Sequence, residues 1–408
     1  MAERCEREVR PIFDKIDAVC RANTAKVMGA FAENRISETD FISTTGYGYS
    51  DRGRDKLDAL CADLFGAEDA LVRPQFVSGT HAIAAGLYGV LRPGDTLLAA
   101  TDTPYDTILP VITGNIGGTL KEYGVSFQKT TLLEPDGTYD EARHHERLEC
   151  DLKKYKPKVV HIQRSRGYSL RPSLSVSQIG AIAEIVKRVL PDAIVFVDNC
   201  YGEFVEEKEP CEVGADILCG SLIKNPGGGL APTGGYVAGR ADLVELASCR
   251  LTVPGLGRDA GSYAAGYRLF YQGFFMAPHV VAQALKTAVF TASLLESAGF
   301  FVSPGPNDFR TDIIQAISLG SREKLLAFLK GIQAGAPIDS FVTPTPTAMP
   351  GYDDEVAMAA GAFVQGASIE LSADGPMRPP FTAFLQGGLT FESGRLGILR
   401  AVTELGVF

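Results

Sequence analysis

Apolar residues recur every three or four positions in several parts of the chain, which is the pattern of a helix with one buried face. The clearest stretch begins at Asp55 and ends at Gly66, a residue suited to closing a helix. Its buried face is predicted to consist of Leu57, Leu60, Cys61, Leu64 and Phe65. The same period predicts further helices over Ala82–Leu91, Gln178–Leu190, Val280–Ser297 and Arg322–Gly331.

Short runs in which nearly every residue is apolar form a second pattern. Such runs are typical of strands that are buried on both faces of a mostly parallel sheet. Five of them alternate with helical stretches, namely Thr96–Ala100, Val159–Ile162, Ala193–Val197, Ile217–Cys219 and Tyr236–Ala238. This alternation predicts an α/β fold.

The two patterns divide the chain into three predicted parts. Residues 1–45 are expected to form an N-terminal helix and an arm, which leads into the turn-rich stretch Thr44–Gly53. Residues 46–285 are expected to form a large α/β domain. Residues 286–408 combine helices with the strand-like run Thr311–Ser318 and a Pro-rich loop at 342–351, which indicates a smaller α+β domain.

Composition narrows the range of functions. The chain has 408 residues, 45% of them hydrophobic, and a formal net charge of −10. It has no cluster of five or more Lys and Arg, so nucleic acid is not an expected partner. No stretch approaches the roughly 18 apolar residues of a membrane helix, and the charged N-terminus does not resemble a signal peptide. A cytoplasmic protein with no membrane partner is therefore expected. No two of the eight cysteines have C-x-x-C spacing, so no metal site is predicted.

An acid and a lysine follow two successive predicted strands. Asp198 comes directly after Ala193–Val197, and Lys224 lies 26 residues later, just beyond the next strand. Ligands bind at the carboxyl ends of strands in open parallel sheets. Taken singly, Asp198 could cap a helix and Lys224 could be a solvated surface group. Together they match pyridoxal phosphate, which needs a lysine for its aldehyde and a carboxylate beside its pyridine nitrogen.

The same cofactor needs a phosphate cradle and an aromatic face, and the sequence has candidates for both. Ser78, Gly79 and Thr80 precede an apolar helical stretch, where backbone N–H groups can bind an anion. Ser221 can add a hydroxyl to the phosphate, and Tyr105 can stack on the pyridine ring. The triplet Gly227–Gly229 lacks the context of a nucleotide loop, and it is interpreted as a tight turn beside the lysine.

These residues resemble the fold-type I pyridoxal-phosphate enzymes of the Cys/Met metabolism superfamily. The matching motifs are SGT (78–80), Tyr105, VDNCY (197–201) and SLIK (221–224). The flanking motifs GYGYSDRGRDKLDAL, QRSRGYSLRPSLS, IKNPGGGLAPTGGY and GPMRPPFTAFLQGGLTFE are similar to the methionine γ-lyase-like or aluminium-resistance branch.

The resemblance implies a large domain with a mostly parallel, seven-stranded sheet and a smaller C-terminal domain. It also implies a homo-oligomer, a tetramer made of two dimers, in which Tyr49 and Arg52 or Arg54 reach the cofactor phosphate of a neighbouring subunit. The alternative for that arm is a solvated turn whose charges pair locally.

Two features depart from the superfamily. Ile223 stands just before the lysine, where a hydroxyl residue is common. The usual C-terminal substrate arginine is not recognisable in its ordinary form. Arg378 is the preferred candidate to bind the substrate α-carboxylate, because guanidinium groups bind carboxylates through two parallel hydrogen bonds. Arg395 and the group Arg164, Arg166 and Arg171 are the alternatives.

The expected activity is that of a carbon–sulfur lyase acting on a sulfur-containing amino acid, with a thiol, ammonia and a 2-oxo acid as products. Lys224 is the expected general base, Asp198 keeps the pyridine nitrogen protonated, and Tyr105 can protonate the departing thiolate if the cofactor cation lowers its pKa. Cleavage at Cβ and at Cγ both remain open. The alternatives are a β- or γ-replacement enzyme, a non-catalytic pyridoxal-phosphate protein in metal tolerance, and an ordinary nucleotide-binding α/β protein.

Overall fold

A central sheet forms the middle layer of the N-terminal part of the molecule. The structure is a computed structural model that describes residues 1–349 and 352–407. Within those ranges seven strands form the sheet: β1 (Asp69–Arg73), β2 (Thr96–Ala99), β3 (Ser126–Lys129), β4 (Val159–Gln163), β5 (Ile194–Asp198), β6 (Ile217–Ser221) and β7 (Gly235–Gly239). Their order is β1-β7-β6-β5-β4-β2-β3, and only β7 runs against its neighbours. The predicted mostly parallel, seven-stranded sheet is confirmed.

Helices surround this sheet and a second, smaller one. The described α-helices are α1 (Ala2–Glu8), α2 (Arg10–Glu33), α3 (Arg52–Phe65), α4 (Gly79–Val90), α5 (Leu109–Thr113), α6 (Glu141–Tyr155), α7 (Val176–Val189), α8 (Ala241–Leu251), α9 (Arg268–Ser297), α10 (Arg322–Gly335) and α11 (Phe391–Glu404). None of these helices is both long enough and apolar enough to cross a membrane.

The central sheet is covered on both faces, which explains why its strands are apolar at nearly every position. Residues such as Leu98 and Val195 point to one face and pack against α3, α7 and α9. Their neighbours Leu97 and Ile194 point to the other face and pack against α4 and α8. The result is a three-layer α/β architecture.

The second sheet lies in the C-terminal part. It comprises β8 (Phe301–Ser303), β9 (Gln315–Ser318), β10 (Val356–Ala359), β11 (Ser372–Pro376) and β12 (Thr382–Gln386). Its order is β10-β11-β12-β9-β8 with every pair antiparallel, and α10 and α11 share its core. Of the loop predicted at 342–351, residues 350 and 351 lie outside the described residues.

Helix α9 belongs to both cores. Its residues Val281 and Leu285 pack in the core of the central sheet, whereas Phe290 and Leu294 pack in the core of the second sheet. The helix has 30 residues and contains Pro278 in its interior. It runs across the position 285/286 that separates the two predicted domains.

Candidate active site

A cavity of about 270 Å³ lies where strand ends of the central sheet face the second sheet. Its lining includes seven of the residues singled out in the sequence: Ser78, Gly79, Thr80, Tyr105, Asp198, Ser221 and Lys224. They come from the start of α4, the loop after β2, and the ends of β5 and β6. The parallel order β4-β5-β6 brings these distant segments to one edge of the sheet.

One end of the cavity suits a phosphate group. Ser78 caps helix α4 by accepting a hydrogen bond from the backbone N–H of His81 at 3.1 Å, and Thr80 bonds the hydroxyl of Thr107 at 2.8 Å. Gly79 lets the helix approach β6 closely, since a Cβ there would lie 3.1 Å from the Cβ of Ser221. Backbone N–H groups at a helix start, next to hydroxyls, form a suitable site for an anion.

Asp198 is the last residue of β5 and is almost completely buried. Its Oδ1 accepts the backbone N–H of Cys200 at 3.1 Å. Within the described residues it takes part in no ion pair, so its carboxylate is available to a cation in the cavity. A protonated pyridine nitrogen is such a cation, and Asp198 shares the cavity lining with Ser78 and Lys224.

Lys224 follows β6, and its Nζ lies 4.0 Å from the centre of the Tyr201 ring. Burial alone would lower the pKa of Lys224, but the surrounding acidic groups outweigh it and raise that pKa; they are Cys200, Tyr201, Asp198 and Glu203. The turn that follows contains Gly228 at a φ of +52°. This turn packs closely against α9: a Cβ added at Gly273 would lie only 2.6 Å from the carbonyl oxygen of Gly227. The glycine triplet is therefore a tight turn, as predicted.

Tyr105 lines the cavity with its ring and donates to or accepts from the hydroxyl of Tyr352 at 2.6 Å. Gly167, at a φ of +58°, leaves room for this ring, since a Cβ there would lie 3.0 Å from Tyr105 Cδ2. Burial, together with the nearby Tyr201, Tyr352 and Asp374, raises the pKa of Tyr105 well above its ordinary value. The phenol therefore holds its proton firmly.

The arm residues lie elsewhere. The Tyr49 side chain is 60% exposed, and its ring stacks on Tyr47 at 5.3 Å between centroids. The Arg52 side chain is also 60% exposed, with its Nε 2.7 Å from Asp40. Arg54 is buried and donates to the carbonyl oxygen of Gly48 at 2.9 Å. Neither Tyr49 nor Arg52 lines the cavity of its own chain.

The arginines proposed for the substrate carboxylate also lie outside this cavity. Arg378 pairs with Asp354 at 2.9 Å and lines a neighbouring cavity of about 280 Å³. Arg166 and Arg171 line that neighbouring cavity too, and the rings of Tyr105 and Tyr168 are shared by both cavities.

The other two arginines have partners away from both cavities. Arg164 is buried between Asn199 and Glu206, each at 2.9 Å. Arg395 pairs with Glu6 at 2.8 Å.

The cavity contains residues that the sequence did not reveal as site residues. They are Tyr168, Tyr352, Ser368, Ser372 and Asp374. Tyr168 lies inside one of the quoted motifs, which was the available signal. Asp374 lies in β11, whose sequence SADGP has neither an apolar run nor a helical period, so no pattern pointed to it.

Comparison with solved structures defines the class. The chain superposes on the pyridoxal-5'-phosphate dependent protein YhfS of Escherichia coli with a TM-score of 0.64, at 17% identity, over 95% of this chain and 97% of that one. At this identity the likeness concerns the fold alone. The fold is that of the fold-type I pyridoxal-phosphate enzymes.

Closer relatives define the family. The chain belongs to the methionine gamma-lyase family, whose model matches residues 1–406. It is 49% identical over 407 residues to the uncharacterized protein YnbB of Bacillus subtilis strain 168, covering 99% of this chain and 95% of that protein. A solved carbon-sulfur lyase involved in aluminum resistance from Clostridium novyi NT is 48% identical, with a TM-score of 0.93 over 98% of this chain and 94% of that one. The predicted resemblance is confirmed.

Proposed function

We propose that this protein is a pyridoxal-phosphate-dependent carbon–sulfur lyase that acts on a sulfur-containing amino acid. The observation that carries the proposal is the convergence of Ser78–Thr80, Tyr105, Asp198, Ser221 and Lys224 on one cavity. Each of these residues matches one chemical part of the cofactor: the phosphate, the ring face, the pyridine nitrogen or the aldehyde. The family and the relative described as a carbon-sulfur lyase support the same activity.

In this proposal each side chain has one task. The start of α4 and Ser221 bind the phosphate, and Asp198 holds a proton on the pyridine nitrogen. Bound pyridoxal phosphate supplies an electron sink for the carbanion at the substrate α-carbon. Lys224 would take the α-proton, and Tyr105 would donate a proton to the departing thiolate once the cofactor cation lowers the pKa of the phenol. With one water consumed, the products are a thiol, ammonia and a 2-oxo acid.

Absorbance and a substrate panel test this function. We expect purified protein to bind added pyridoxal phosphate with a visible band that shifts when an amino acid is added. We expect the holoenzyme to release a thiol or hydrogen sulfide from at least one of methionine, homocysteine, cystathionine and cysteine. From methionine or homocysteine, 2-oxobutyrate indicates cleavage at Cγ, and pyruvate from cysteine indicates cleavage at Cβ; with cystathionine the same two products show which side of the sulfur is cut.

Other outcomes of the panel point to the alternatives. A shifting band without any 2-oxo acid favours a replacement reaction or a non-catalytic protein in metal tolerance. A colourless protein whose absorbance does not change when pyridoxal phosphate is added contradicts the proposal and favours a nucleotide-binding protein.

The position of the covalent bond is tested separately. After borohydride reduction of the holoenzyme, mass spectrometry should find a pyridoxyl group on Lys224. The Lys224→Ala variant should lack that adduct and the lyase activity, although the phosphate contacts can still retain some cofactor. A pyridoxyl group on another lysine would overturn the assignment.

We also propose a homotetramer, built from two dimers, in which Tyr49 and Arg52 reach the phosphate of the neighbouring subunit. Lys224 is the only Lys, Arg or His among the described residues that line the cavity, so the phosphate has no cationic partner from its own chain. The exposed, stacked rings of Tyr47 and Tyr49 offer apolar surface for an interface there. The cytoplasmic location and the lack of nucleic-acid and membrane partners stay predictions.

A further inference from the structure

The second sheet contributes an acid to the wall of the Lys224 cavity. Ser372 and Asp374 lie two residues apart on β11, so their side chains point to the same face of the sheet. Both line the cavity, as does Met358, which pairs with Asp374 across β10 and β11. The cavity therefore has a polar wall formed by the second sheet, in addition to the residues assigned to the cofactor.

Among the described residues, Asp374 has no cationic partner of its own. Its Oδ2 accepts the side-chain N–H of Gln386 at 3.1 Å, and within the described residues it forms no ion pair. Lys224, the one Lys, Arg or His among the described residues of this lining, is assigned to the cofactor. Asp374 is half-buried, and a carboxylate partly withdrawn from water is costly unless a positive charge or several donors compensate it. The cavity therefore suits a ligand that brings a positive charge.

Hydroxyl groups lie along the same wall. In the described structure the hydroxyl of Ser372 is buried and has no hydrogen-bond partner. Burial raises the pKa of Asp374, and the buried Tyr168 hydroxyl beside that carboxyl partly offsets the rise. Both residues line the cavity with Asp374. An ammonium group has three N–H donors and no acceptor, so a carboxylate and two hydroxyl oxygens can satisfy all three. A second carboxylate on the ligand would instead be repelled by Asp374.

We propose that Asp374, with Ser372 and Tyr168, binds an ammonium group at the far end of the substrate side chain. The α-amine of the substrate is engaged by the cofactor, so the group that reaches Asp374 is a second amine. The substrate class is therefore an amino acid with an amine on its side chain. This last step rests on the proposed function: for a carbon–sulfur lyase, the substrate is a thioether whose departing thiol carries the amine.

Binding of isosteric amino acids tests the subsite without any turnover. L-Ornithine and L-norleucine have side chains of the same length, and only ornithine ends in an ammonium; L-lysine and L-2-aminoheptanoate form a second pair, one atom longer. Calorimetric titration of the holoenzyme should show at least about tenfold tighter binding of the charged member of one pair, as expected for a hydrogen-bonded charge. Equal affinities within both pairs would overturn the proposal.

The Asp374→Asn variant separates recognition from a structural role, since Asn can still accept the bond from Gln386. We expect the variant to lose most of the preference because the charged ligand binds more weakly, while the neutral ligand keeps its affinity. The matched control is Asp353→Asn, which removes an exposed carboxylate from a nearby loop and should keep the preference. A preference that survives in Asp374→Asn, or an equal loss for both ligands, would refute the subsite.

Turnover distinguishes this proposal from the proposed function. S-(2-aminoethyl)-L-cysteine and S-propyl-L-cysteine are also isosteric. If the enzyme is a lyase, the KM for the charged substrate should rise at least about tenfold in Asp374→Asn, with little change in KM for the neutral one. If no thiol is released from any substrate but ornithine still binds more tightly than norleucine, the lyase function fails and the ammonium subsite stands. If thiol is released and neither ligand pair shows a preference, the subsite fails alone.

Discussion

At the scale of single residues, Asp198 makes the clearest prediction. Its Oδ1 accepts the N–H of Cys200, and an asparagine can keep that bond while losing the negative charge. In the proposed function, loss of the charge would leave the pyridine nitrogen of the cofactor unprotonated, and the substrate carbanion would be less stabilised. We expect turnover of Asp198→Asn to fall by orders of magnitude, at least about 100-fold.

Steady-state kinetics with saturating cofactor, together with a melting curve, checks this expectation. The melting temperature should stay close to that of the wild type, since the shape and the backbone bond are kept. Near-normal turnover in a folded, cofactor-loaded variant would remove Asp198 from this role.

Glu203 makes a prediction about pH. It is fully buried; its Oε1 accepts the phenol of Tyr236 at 2.7 Å, and burial raises the pKa of Glu203 to about 8. Between about pH 4.3 and 8 the unfolded chain has lost this proton, whereas the folded protein still holds it. The contribution of Glu203 to stability is therefore lost as the pH rises through that window, by at most about 1.4 kcal/mol per pH unit.

Urea unfolding of the cofactor-free protein at pH 5, 6.5 and 8 measures this effect. Relative to the wild type, Glu203→Gln should gain unfolding free energy as the pH rises, because glutamine does not titrate. The control Glu207→Gln removes an exposed carboxylate nearby and should run parallel to the wild type. If Glu203→Gln also ran parallel, the carboxyl would not titrate in this window.

The residues that could be predicted from the sequence are those fixed by local chemistry. Asp198 and Lys224 each follow an apolar strand, and Ser78 precedes an apolar helix, so position along the chain was enough. Asp374 and Tyr352 reach the same cavity only through the packing of the second sheet on the first, and that packing leaves no periodic trace in the sequence. For the same reason the sequence favoured Arg378 as the residue that binds the substrate carboxylate, whereas the structure places it in the lining of the neighbouring cavity.

At the scale of secondary-structure elements, the contact between α4 and β6 can be tested with one methyl group. A Cβ at Gly79 would lie 3.1 Å from Ser221 and 3.4 Å from the Sγ of Cys200, so Gly79→Ala should force apart the two segments that form the phosphate end. Overpacking of this kind typically costs 1 to 3 kcal/mol. We expect the dissociation constant for pyridoxal phosphate to rise at least about tenfold.

A titration of absorbance with cofactor measures that constant. The control is Gly29→Ala on α2, where a Cβ would meet nothing within 4 Å. It should leave cofactor affinity unchanged and stabilise the helix by about 1 kcal/mol. Unchanged affinity in Gly79→Ala would mean that this close approach does not shape the phosphate end.

The elements that patterns predicted best are the buried ones. All five apolar runs form strands of the central sheet, since burial on both faces leaves a strong signal. The edge strand β3, with sequence SFQK, is largely exposed and has no such signal. Helix α9 begins at Arg268, well before the predicted Val280. A proline such as Pro278 usually ends or breaks a helix, but here the packing of the surrounding residues keeps the helix continuous through it.

At the scale of the whole molecule, the proposed sharing of the site between subunits makes a prediction. Tyr49→Ala damages the arm, and Lys224→Ala damages the cavity, so each variant alone should be nearly inactive. When equal amounts are unfolded and refolded together, random pairing gives mixed dimers in which one site has both an intact arm and an intact lysine. About a quarter of all sites should then be active.

Activity of the refolded mixture, compared with each variant refolded alone, is the measurement. A mixture no more active than its components would place the arm in its own subunit or outside the site. A fully active monomer would contradict the proposed tetramer.

Helix α9 connects the two hydrophobic cores of the molecule. The first part of this helix contributes residues to the core of the central sheet, and the second part contributes residues to the core of the second sheet. Neither hydrophobic core is complete without it. We therefore expect the two lobes to unfold together, and a fragment cut at 285/286 would leave half of the helix with an uncovered apolar face. The lysine turn, which packs on α9 at Gly273, is thereby anchored to the helix that both cores share.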